Sequence, residues 1–274
     1  MERILGAAPA FWSADLEGEL SSIKRAGFDA TFLDWNREDM KKDADLARRL
    51  GLFVQSIHSP FSGDCRVAHL WKEGKEGVAV RDLLLACLED CARCEIPVMV
   101  IHPFIGFKDH TPTDVGIENY AKIVKRANEL GVTLGFENVE GEEYLAALMQ
   151  AFWNEPSLGF CLDTGHELCY NGGKDMLALY GEKLCHTHFN DNLGVYDPTL
   201  TWENDLHLVP LDGIVDFKNV MQRIEKTPYQ GPIIFELSVS NKPGRHDHDR
   251  YREMGFDGFY TFAYTRARQA VSLR

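Results

Sequence analysis

The chain has 274 residues, of which 45% are hydrophobic and 26% are charged, and its formal net charge at pH 7 is −13. No run of about 20 apolar residues could cross a membrane. Tight, sequence-independent binding to nucleic acid or to an anionic membrane depends on lysine and arginine, so the negative charge disfavours both as partners.

Two features of the sequence predict a cytoplasmic protein. The N-terminal stretch MERILGAAPAFWSADLEGE has acidic residues where a signal peptide would carry a basic start and a long apolar run. The seven cysteines are an odd number without the spacing of a disulfide framework, which favours free thiols in a reducing compartment.

Apolar runs of roughly four to eight residues alternate with segments of helical periodicity along the whole chain. In chain order the predicted strands are RILGAA, FDATFLD, LFVQSIH, PVMVIH, TLGFENV, LGFCLDTG, LCHTHF and PIIFELSV. The predicted helices that follow them cover residues 15–26, 38–50, 75–94, 113–130, 141–153, 172–181, 216–226 and 247–270.

This alternation predicts the fold class. Continuous hydrophobic strands that alternate with helices are typical of a parallel sheet covered on both faces, which is an α/β architecture. Eight such units most simply close into a (β/α)8 TIM barrel. No linker, charge block or low-complexity segment divides the chain, so we expect a single domain over residues 1–274.

Six of the predicted strands lead into a residue that can bind a metal ion. These residues are His58, His102, Glu137, Asp163, His188 and Glu236. A single strand-end histidine or acid is about as often a hydrogen-bonded cap as a metal ligand. Burying one without a compensating partner costs several kcal/mol. Because the carboxyl ends of barrel strands share one face, the recurrence predicts one site there. Three histidines and three acids suit a divalent ion.

The motifs around these positions resemble the xylose isomerase-like barrel superfamily. Its members include sugar isomerases, ketose 3-epimerases of the tagatose epimerase type, inosose dehydratases and the zinc AP endonucleases. The segments GFEN, LDTGH, HFND and FELS carry the resemblance, which extends over nearly the whole chain. It implies that one divalent metal is held by Glu137, Asp163, His188 and Glu236.

The resemblance also implies roles around that metal. His166 would contact the substrate, and the segment from Asp205 to His207 matches the family's Asp-x-His that leads into a glycine-rich turn. His58 and His102 match the paired strand-end histidines of the superfamily. All five are expected to bind substrate or an additional metal.

The predicted chemistry follows from the ligand types. A metal bound by two Glu, one Asp and one His retains open positions, and it can polarise a ketose carbonyl and stabilise an enediolate. Glu137 and Glu236 lie on different strands and are expected to be the catalytic base and acid on opposite faces of one carbon. The sequence therefore predicts a metal-dependent isomerase or epimerase of a small ketose or polyol, with Mn, Zn, Mg or Co as the cofactor.

Two other reactions stay open. A zinc-dependent phosphodiesterase of the AP endonuclease type needs three Zn ions, and nine ligands of the right types are present: His58, His102, Glu137, Asp163, His166, His188, Asp205, His207 and Glu236. The loop over residues 189–215 has five acids and no lysine or arginine, which disfavours a phosphodiester and, mildly, a phosphorylated sugar. An inosose dehydratase-like lyase is the other alternative.

Aromatic residues offer two further interpretations. Trp12, Trp71 and Trp202 follow strand ends or lie in long loops, where they could form an apolar wall for a sugar, with ordinary loop packing equally expected. The last helix, YREMGFDGFYTFAYTRARQ, is unusually aromatic. Packing on the barrel explains most of its aromatic residues, and a homo-oligomer contact is the secondary interpretation.

Overall fold

The computed structural model describes residues 3–108 and 111–273. Its described residues form one sheet of eight strands. The strands are β1 (Leu5–Ala7), β2 (Ala30–Asp34), β3 (Phe53–His58), β4 (Val98–Ile101), β5 (Thr133–Glu137), β6 (Leu158–Asp163), β7 (Leu184–His188) and β8 (Ile233–Phe235).

From β1 to β7 each strand pairs in parallel with the next one in the chain, and β8 pairs in parallel with β1. A parallel bridge between Phe189 and Phe235 brings the chain after β7 against β8, so the barrel is nearly closed. The predicted (β/α)8 barrel is confirmed.

Helices cover the outside of the sheet. Within the described ranges they are α1 (Leu16–Ala26), α2 (Met40–Arg49), α3 (Lys75–Arg93), α4 (Asp114–Leu130), α5 (Glu142–Phe152), α6 (Thr164–Cys169), α7 (Met176–Tyr180), α8 (Phe217–Ile224), α9 (Asp249–Glu253) and α10 (Gly255–Ser272). Short 3-10 helices occupy Gly63–Cys65, Val67–Trp71, Gly181–Lys183 and Trp202–Asn204. None of the helices in this part of the chain is long and apolar enough to span a membrane.

Two predicted helices differ from the observed ones because glycine interrupts them. The helix expected over residues 172–181 is reduced to α7 and a 3-10 turn, since Gly172 and Gly173 adopt φ of 62° and 75°, outside the helical region. The helix expected over residues 247–270 is divided into α9 and α10 at Gly255, whose φ is 63°.

The strand predicted as LGFCLDTG is too long at its C-terminal end. β6 stops at Asp163, and α6 begins at the next residue. The Asp163 side chain accepts a hydrogen bond from the backbone N–H of His166 at 2.7 Å, which caps the new helix at its first turn. A helix therefore starts where the periodicity of the sequence indicated continued strand.

Strand alternation divides the core into two parts. The large cluster of buried residues between sheet and helices includes Met99 and Ile101 of β4. The alternate residues Val98 and Val100 belong to a separate small cluster with Cys161, as expected for the barrel interior. Residues at the strand ends that continue this alternate row therefore point into the mouth of the barrel.

The N- and C-terminal parts of the chain are joined by a buried hydrogen-bond group. The Glu19 carboxylate on α1 accepts hydrogen bonds from the backbone N–H of Ala10 at 2.6 Å and of Phe11 at 2.8 Å. It also accepts one from the hydroxyl of Tyr260 on α10 at 2.6 Å. This group fixes the loop after β1 at the rim of the barrel, against the last helix.

Candidate metal centre

The ends of four successive strands bring together the four residues that the resemblance implies as metal ligands. Each offers one oxygen or nitrogen atom, and these atoms lie within 4.8 Å of one another: Glu137, Asp163, His188 and Glu236. The first three end β5, β6 and β7 and are fully buried, and Glu236 directly follows β8 with 23% of its side chain exposed. The group is therefore closed below and open on the Glu236 side.

Glu137 lies at the centre of the site and faces four imidazoles. Its Oε1 is 3.0 Å from Nδ1 of His188 and 3.4 Å from Nδ1 of His166. Its Oε2 is 3.3 Å from Nε2 of His102 and 3.5 Å from Nε2 of His58. Burial acts to raise the pKa of the Glu137 carboxyl, but His188 and His102 outweigh burial and hold the pKa well below its ordinary value.

Glu236 approaches the same imidazole from the other side. Its Oε2 is 3.3 Å from Nδ1 of His188 and 3.5 Å from Nδ1 of His207. Burial opposes ionisation of Glu236, but the two histidines lower its pKa below the ordinary value. The two glutamates are thus ionisable groups on different strands that share one neighbour, the Nδ1 atom of His188.

Asp163 is held rigidly by two asparagines and a helix start. Asn190 donates its amide N–H to Asp163 Oδ2 at 2.8 Å, and Oδ1 accepts the backbone N–H of His166. The Asp163 backbone N–H donates to Oδ1 of Asn138 at 2.7 Å. Burial raises the pKa of Asp163 to about 6, and His166 opposes this rise. The sequence did not predict a role for the two asparagines. Asn138 directly follows Glu137 in GFEN, and Asn190 lies two residues after His188 in HFND.

A second group lies beside Asp163. The nitrogen and oxygen atoms of Asp163, His166 and His207 also lie within 4.8 Å of one another. Asp205 joins the two histidines, because its Oδ2 is 2.8 Å from Nε2 of His207 and 3.3 Å from Nε2 of His166. The structure therefore places the expected additional ligands or substrate-binding residues next to the central four.

His58 and His102 form a third group with Glu137, again within 4.8 Å. The Nδ1 of His58 is 2.9 Å from the carbonyl oxygen of Ser59, which can only accept a hydrogen bond. This contact requires a proton on Nδ1 and leaves Nε2 as the ring nitrogen that faces Glu137 in the site. The ring of Phe61 stacks on that of His102, with centroids 4.1 Å apart, and covers it from above.

The donor atoms fit a divalent metal ion. Glu137 Oε2 is buried and makes no hydrogen bond with the described residues; its polar neighbours His102 Nε2 and His58 Nε2 lie 3.3 Å and 3.5 Å away. An unpartnered buried carboxylate oxygen is costly, and a cation is the usual compensation. Carboxylate oxygen and neutral imidazole are the ligand types that Zn, Mn and Co accept.

The three tryptophans expected to form a substrate wall lie in different environments. Trp12 is 72% exposed and lines a cavity of about 630 Å³ near the loops after β1 and β2. Trp202 is 48% exposed, with Nζ of Lys242 5.0 Å from its ring centroid. Trp71 is only 3% exposed and donates its indole N–H to the carbonyl of Pro103 at 2.8 Å. Its burial is that of a core side chain and gives a substrate-binding role no support.

One strand-end acid escaped the sequence interpretation. Asp34 is the last residue of β2 and is paired in register with His58 of β3. Its electrostatic neighbours include His58, Glu236 and His188. The signal was available, because Asp34 follows the apolar residues Phe32 and Leu33 and ends a predicted strand, FDATFLD.

Fold and site together define a class of protein. It is a (β/α)8 barrel with a buried cluster of residues that could hold a metal ion at the carboxyl ends of its strands. The chain belongs to the xylose isomerase-like TIM barrel family, whose family model matches residues 20–256. The resemblance found in the sequence motifs is confirmed.

Individual proteins are similar to this chain in sequence or in fold. The chain is 26% identical over 270 residues to the uncharacterized protein y4fM of Sinorhizobium fredii, covering 84% of this chain and 83% of that protein. It is 27% identical over 161 residues to the rhizopine catabolism protein MocC of Rhizobium meliloti, covering 52% and 47% of the two chains. The fold is similar to D-psicose 3-epimerase with D-tagatose from Clostridium cellulolyticum H10, with a TM-score of 0.73 and 13% identity over 97% of this chain and 99% of that one.

Proposed function

We propose that this protein is a divalent-metal-dependent isomerase or epimerase of a small ketose or polyol. The observation that carries the proposal is the placement of two glutamates around one point. Glu137 Oε1 and Glu236 Oε2 lie 3.0 Å and 3.3 Å from the same atom, His188 Nδ1, and both belong to the four-residue ligand group. The similarity in fold to a D-psicose 3-epimerase supports the same class of reaction.

The divalent ion would be held by Glu137, Asp163, His188 and Glu236. When bound, a divalent ion polarises the substrate carbonyl and stabilises the negative charge that develops on its oxygen. Asp163 is poorly placed for proton transfer, because both of its oxygens already accept hydrogen bonds from the protein. The role of Asp163 is to fix the geometry of the ligand group.

Proton transfer falls to the two glutamates. One carboxylate removes the proton from the carbon next to the carbonyl, and the electron pair of that C–H bond forms the enediolate double bond. The other glutamate, in its acid form, returns a proton to the opposite face of the same carbon for epimerisation. For isomerisation the proton goes to the neighbouring carbon. Their lowered pKa values keep both groups ionised near neutral pH before the reaction, so the acid form arises by uptake of a solvent proton.

A zinc-dependent phosphodiesterase is the second candidate. It is favoured by the two flanking groups, His58 with His102 and Glu137, and Asp163 with His166 and His207, each compact enough for one ion. Against it stands the acidic loop over residues 189–215. Two basic residues that could have held a phosphate are also engaged: Lys242 lies over Trp202, and Arg245 lies over Tyr196 and pairs with Asp247. A dehydratase-like lyase would share the first proton abstraction and differ in its product.

The first experiment is to count metal ions per chain in protein purified without chelator or nickel resin. The proposal expects about one Mn, Mg, Co or Zn per chain, and exchange of a carbon-bound proton of a ketose with deuterated solvent. Two or three Zn per chain, with phosphodiester cleavage and no exchange, would replace the proposal with the second candidate.

A variant separates chemistry from folding. Glu236→Gln keeps the size and shape of the side chain and removes the carboxylate, so exchange and turnover should fall by at least about a thousandfold, while the unfolding midpoint of the metal-free protein changes little. Glu203→Gln is the matched control, because Glu203 lies on the loop after β7 and its side chain accepts hydrogen bonds from the nearby Thr201. Full activity of the Glu236→Gln variant would remove the two-glutamate mechanism.

The remaining expectations stay proposals. We keep the proposal of a single domain over residues 1–274. The free cysteines support a cytoplasmic location. The aromatic sequence of the last helix supports a homo-oligomer contact. Phe259 and Tyr260 of α10 are fully buried within the barrel's own core and are not part of any such contact.

A further inference from the structure

Asp34 continues a row of side chains that points into the barrel. Ala30 and Phe32 of β2 belong to a small cluster with Ala8 and Ile234, separate from the core under the helices. The Phe32 ring lies 4.8 Å from that of His188 and 6.0 Å from that of His58, centroid to centroid. Because side chains two residues apart on a strand share a face, Asp34 lies on the Phe32 face, one step nearer the mouth.

The register of the sheet leads to the same placement. Asp34 is paired with His58, whose Nε2 faces Glu137 in the site. Paired residues of neighbouring parallel strands point to the same side of the sheet. Two independent features, alternation along β2 and register with β3, therefore direct the Asp34 carboxylate towards the open side of the metal centre.

The Asp34 carboxylate is a free acceptor in a concave place. The residue is exposed to solvent, and no donor among the described residues contacts its side-chain oxygens. Asp34 nevertheless lines a cavity together with residues of α1 and α2. A group that solvent reaches while protein surrounds it lies in an opening rather than on a convex surface.

We infer that Asp34 accepts a hydrogen bond from a hydroxyl of the bound substrate and thereby selects a neutral polyol chain over a phosphorylated one. The inference rests on the proposed function, because it extends the substrate of that same site. A molecule held at the metal centre would meet Asp34 on the side where Glu236 is partly exposed. A hydroxyl is the donor that an uncharged sugar can present there.

The cavity beside the site favours an uncharged ligand. Asp34 is a lining residue of the cavity of about 630 Å³ that contains Trp12, so it borders both this cavity and the metal centre. Lys42 is the one basic residue among the described residues that line the cavity. Its acidic lining residues are Asp15, Glu17, Glu19, Asp34, Asp39 and Asp43. A phosphate dianion would be repelled there, whereas hydroxyl groups find acceptors.

The test compares binding with turnover in Mn-loaded protein. Wild type, Asp34→Ala and Asp34→Asn are assayed for proton exchange into D-fructose, D-tagatose and D-psicose in deuterated buffer, with D-fructose 6-phosphate as the charged probe. Loss of a hydrogen bond to a charged group should raise KM of the alanine variant by roughly ten- to a hundredfold with kcat nearly unchanged. The asparagine variant should recover part of this loss, because its amide oxygen still accepts. Asp29→Asn is the control: Asp29 lies just before the other end of β2 and pairs with Lys24 at 2.5 Å.

The outcomes separate this inference from the proposed function. Exchange in the wild type with an unchanged KM in both Asp34 variants would overturn the role of Asp34 alone. Loss of Mn from the alanine variant would show that Asp34 acts through the metal centre, and would also overturn it. A higher kcat/KM for the phosphorylated probe than for the neutral ketoses would overturn the inferred preference for an uncharged substrate. Absence of exchange with every ketose in the wild type would instead count against the proposed function, and the inference would fall with it.

Discussion

The loop that carries Asp205 and His207 is held by one buried carboxylate, which gives a sharp prediction for stability. Asp191 is fully buried, and its two oxygens accept four backbone hydrogen bonds. Oδ2 accepts the N–H groups of Leu211 at 2.8 Å and Gly213 at 2.9 Å. Oδ1 accepts those of Asn192 at 2.8 Å and Val215 at 2.9 Å.

Asp191→Asn changes these bonds without changing the volume of the side chain. The amide presents one oxygen and one NH2 group, so one pair of backbone N–H groups would face a donor. Two bonds are lost and two buried N–H groups are left unpaired, at about 1–2 kcal/mol each, which amounts to about 2–4 kcal/mol. Burial raises the pKa of Asp191, so relief of charge burial recovers part of the loss and favours the lower half of that range.

The assay is urea unfolding at pH 7, with the free energy taken from the midpoint and slope of each variant. Asp197→Asn is the control, because Asp197 lies half-buried on the same loop and its side chain accepts hydrogen bonds from the neighbouring Thr199. We expect a change within about 0.5 kcal/mol for the control. Equal free energies of unfolding for the two variants would refute the anchoring role of Asp191.

Three other predictions follow from contacts described above. Gly213→Ala should destabilise the protein by roughly 1–3 kcal/mol in urea unfolding, since a Cβ there would lie 2.4 Å from Asp191 Oδ1; an unchanged midpoint would show that the loop can move aside. Tyr260→Phe removes a buried hydroxyl that donates to Glu19 and should cost about 1–3 kcal/mol, with a thermal midpoint equal to wild type as the contrary result. Removal of divalent metal with a chelator should lower the thermal midpoint, and added Mn should restore it, because an ion that binds only the folded state stabilises it; a midpoint insensitive to both would contradict a metal centre.

Strand-end residues were predictable because a barrel leaves little freedom there. His58, Glu137 and Asp163 each end an apolar run, and parallel strands bring such ends to one face whatever the details of packing. Asp34 ends its strand in the same way. Its place in the site depends on register, which the sequence does not show.

Other features depended on tertiary contacts. Trp71 lies in a long loop in the sequence, yet a 3-10 helix over Val67–Trp71 turns it into the core, where it packs against Tyr120 and Tyr144. Asn138 and Asn190 look like ordinary polar residues at strand ends, and only the fold shows that they hold Asp163. Local periodicity indicates which side of a helix or strand is apolar, but it does not indicate which residues pack against that side.

The way Asp163 is held has a consequence for the choice of ion. Each of its oxygens already accepts a hydrogen bond from the protein, from the N–H of His166 and from the amide of Asn190. Glu236 is partly exposed, and no described residue donates a hydrogen bond to its side-chain oxygens in this way. One wall of the centre is therefore stiff and the other compliant. Ions of different radius should be accommodated by movement of Glu236, so the bond from Glu236, rather than that from Asp163, should lengthen or shorten from one metal to the next.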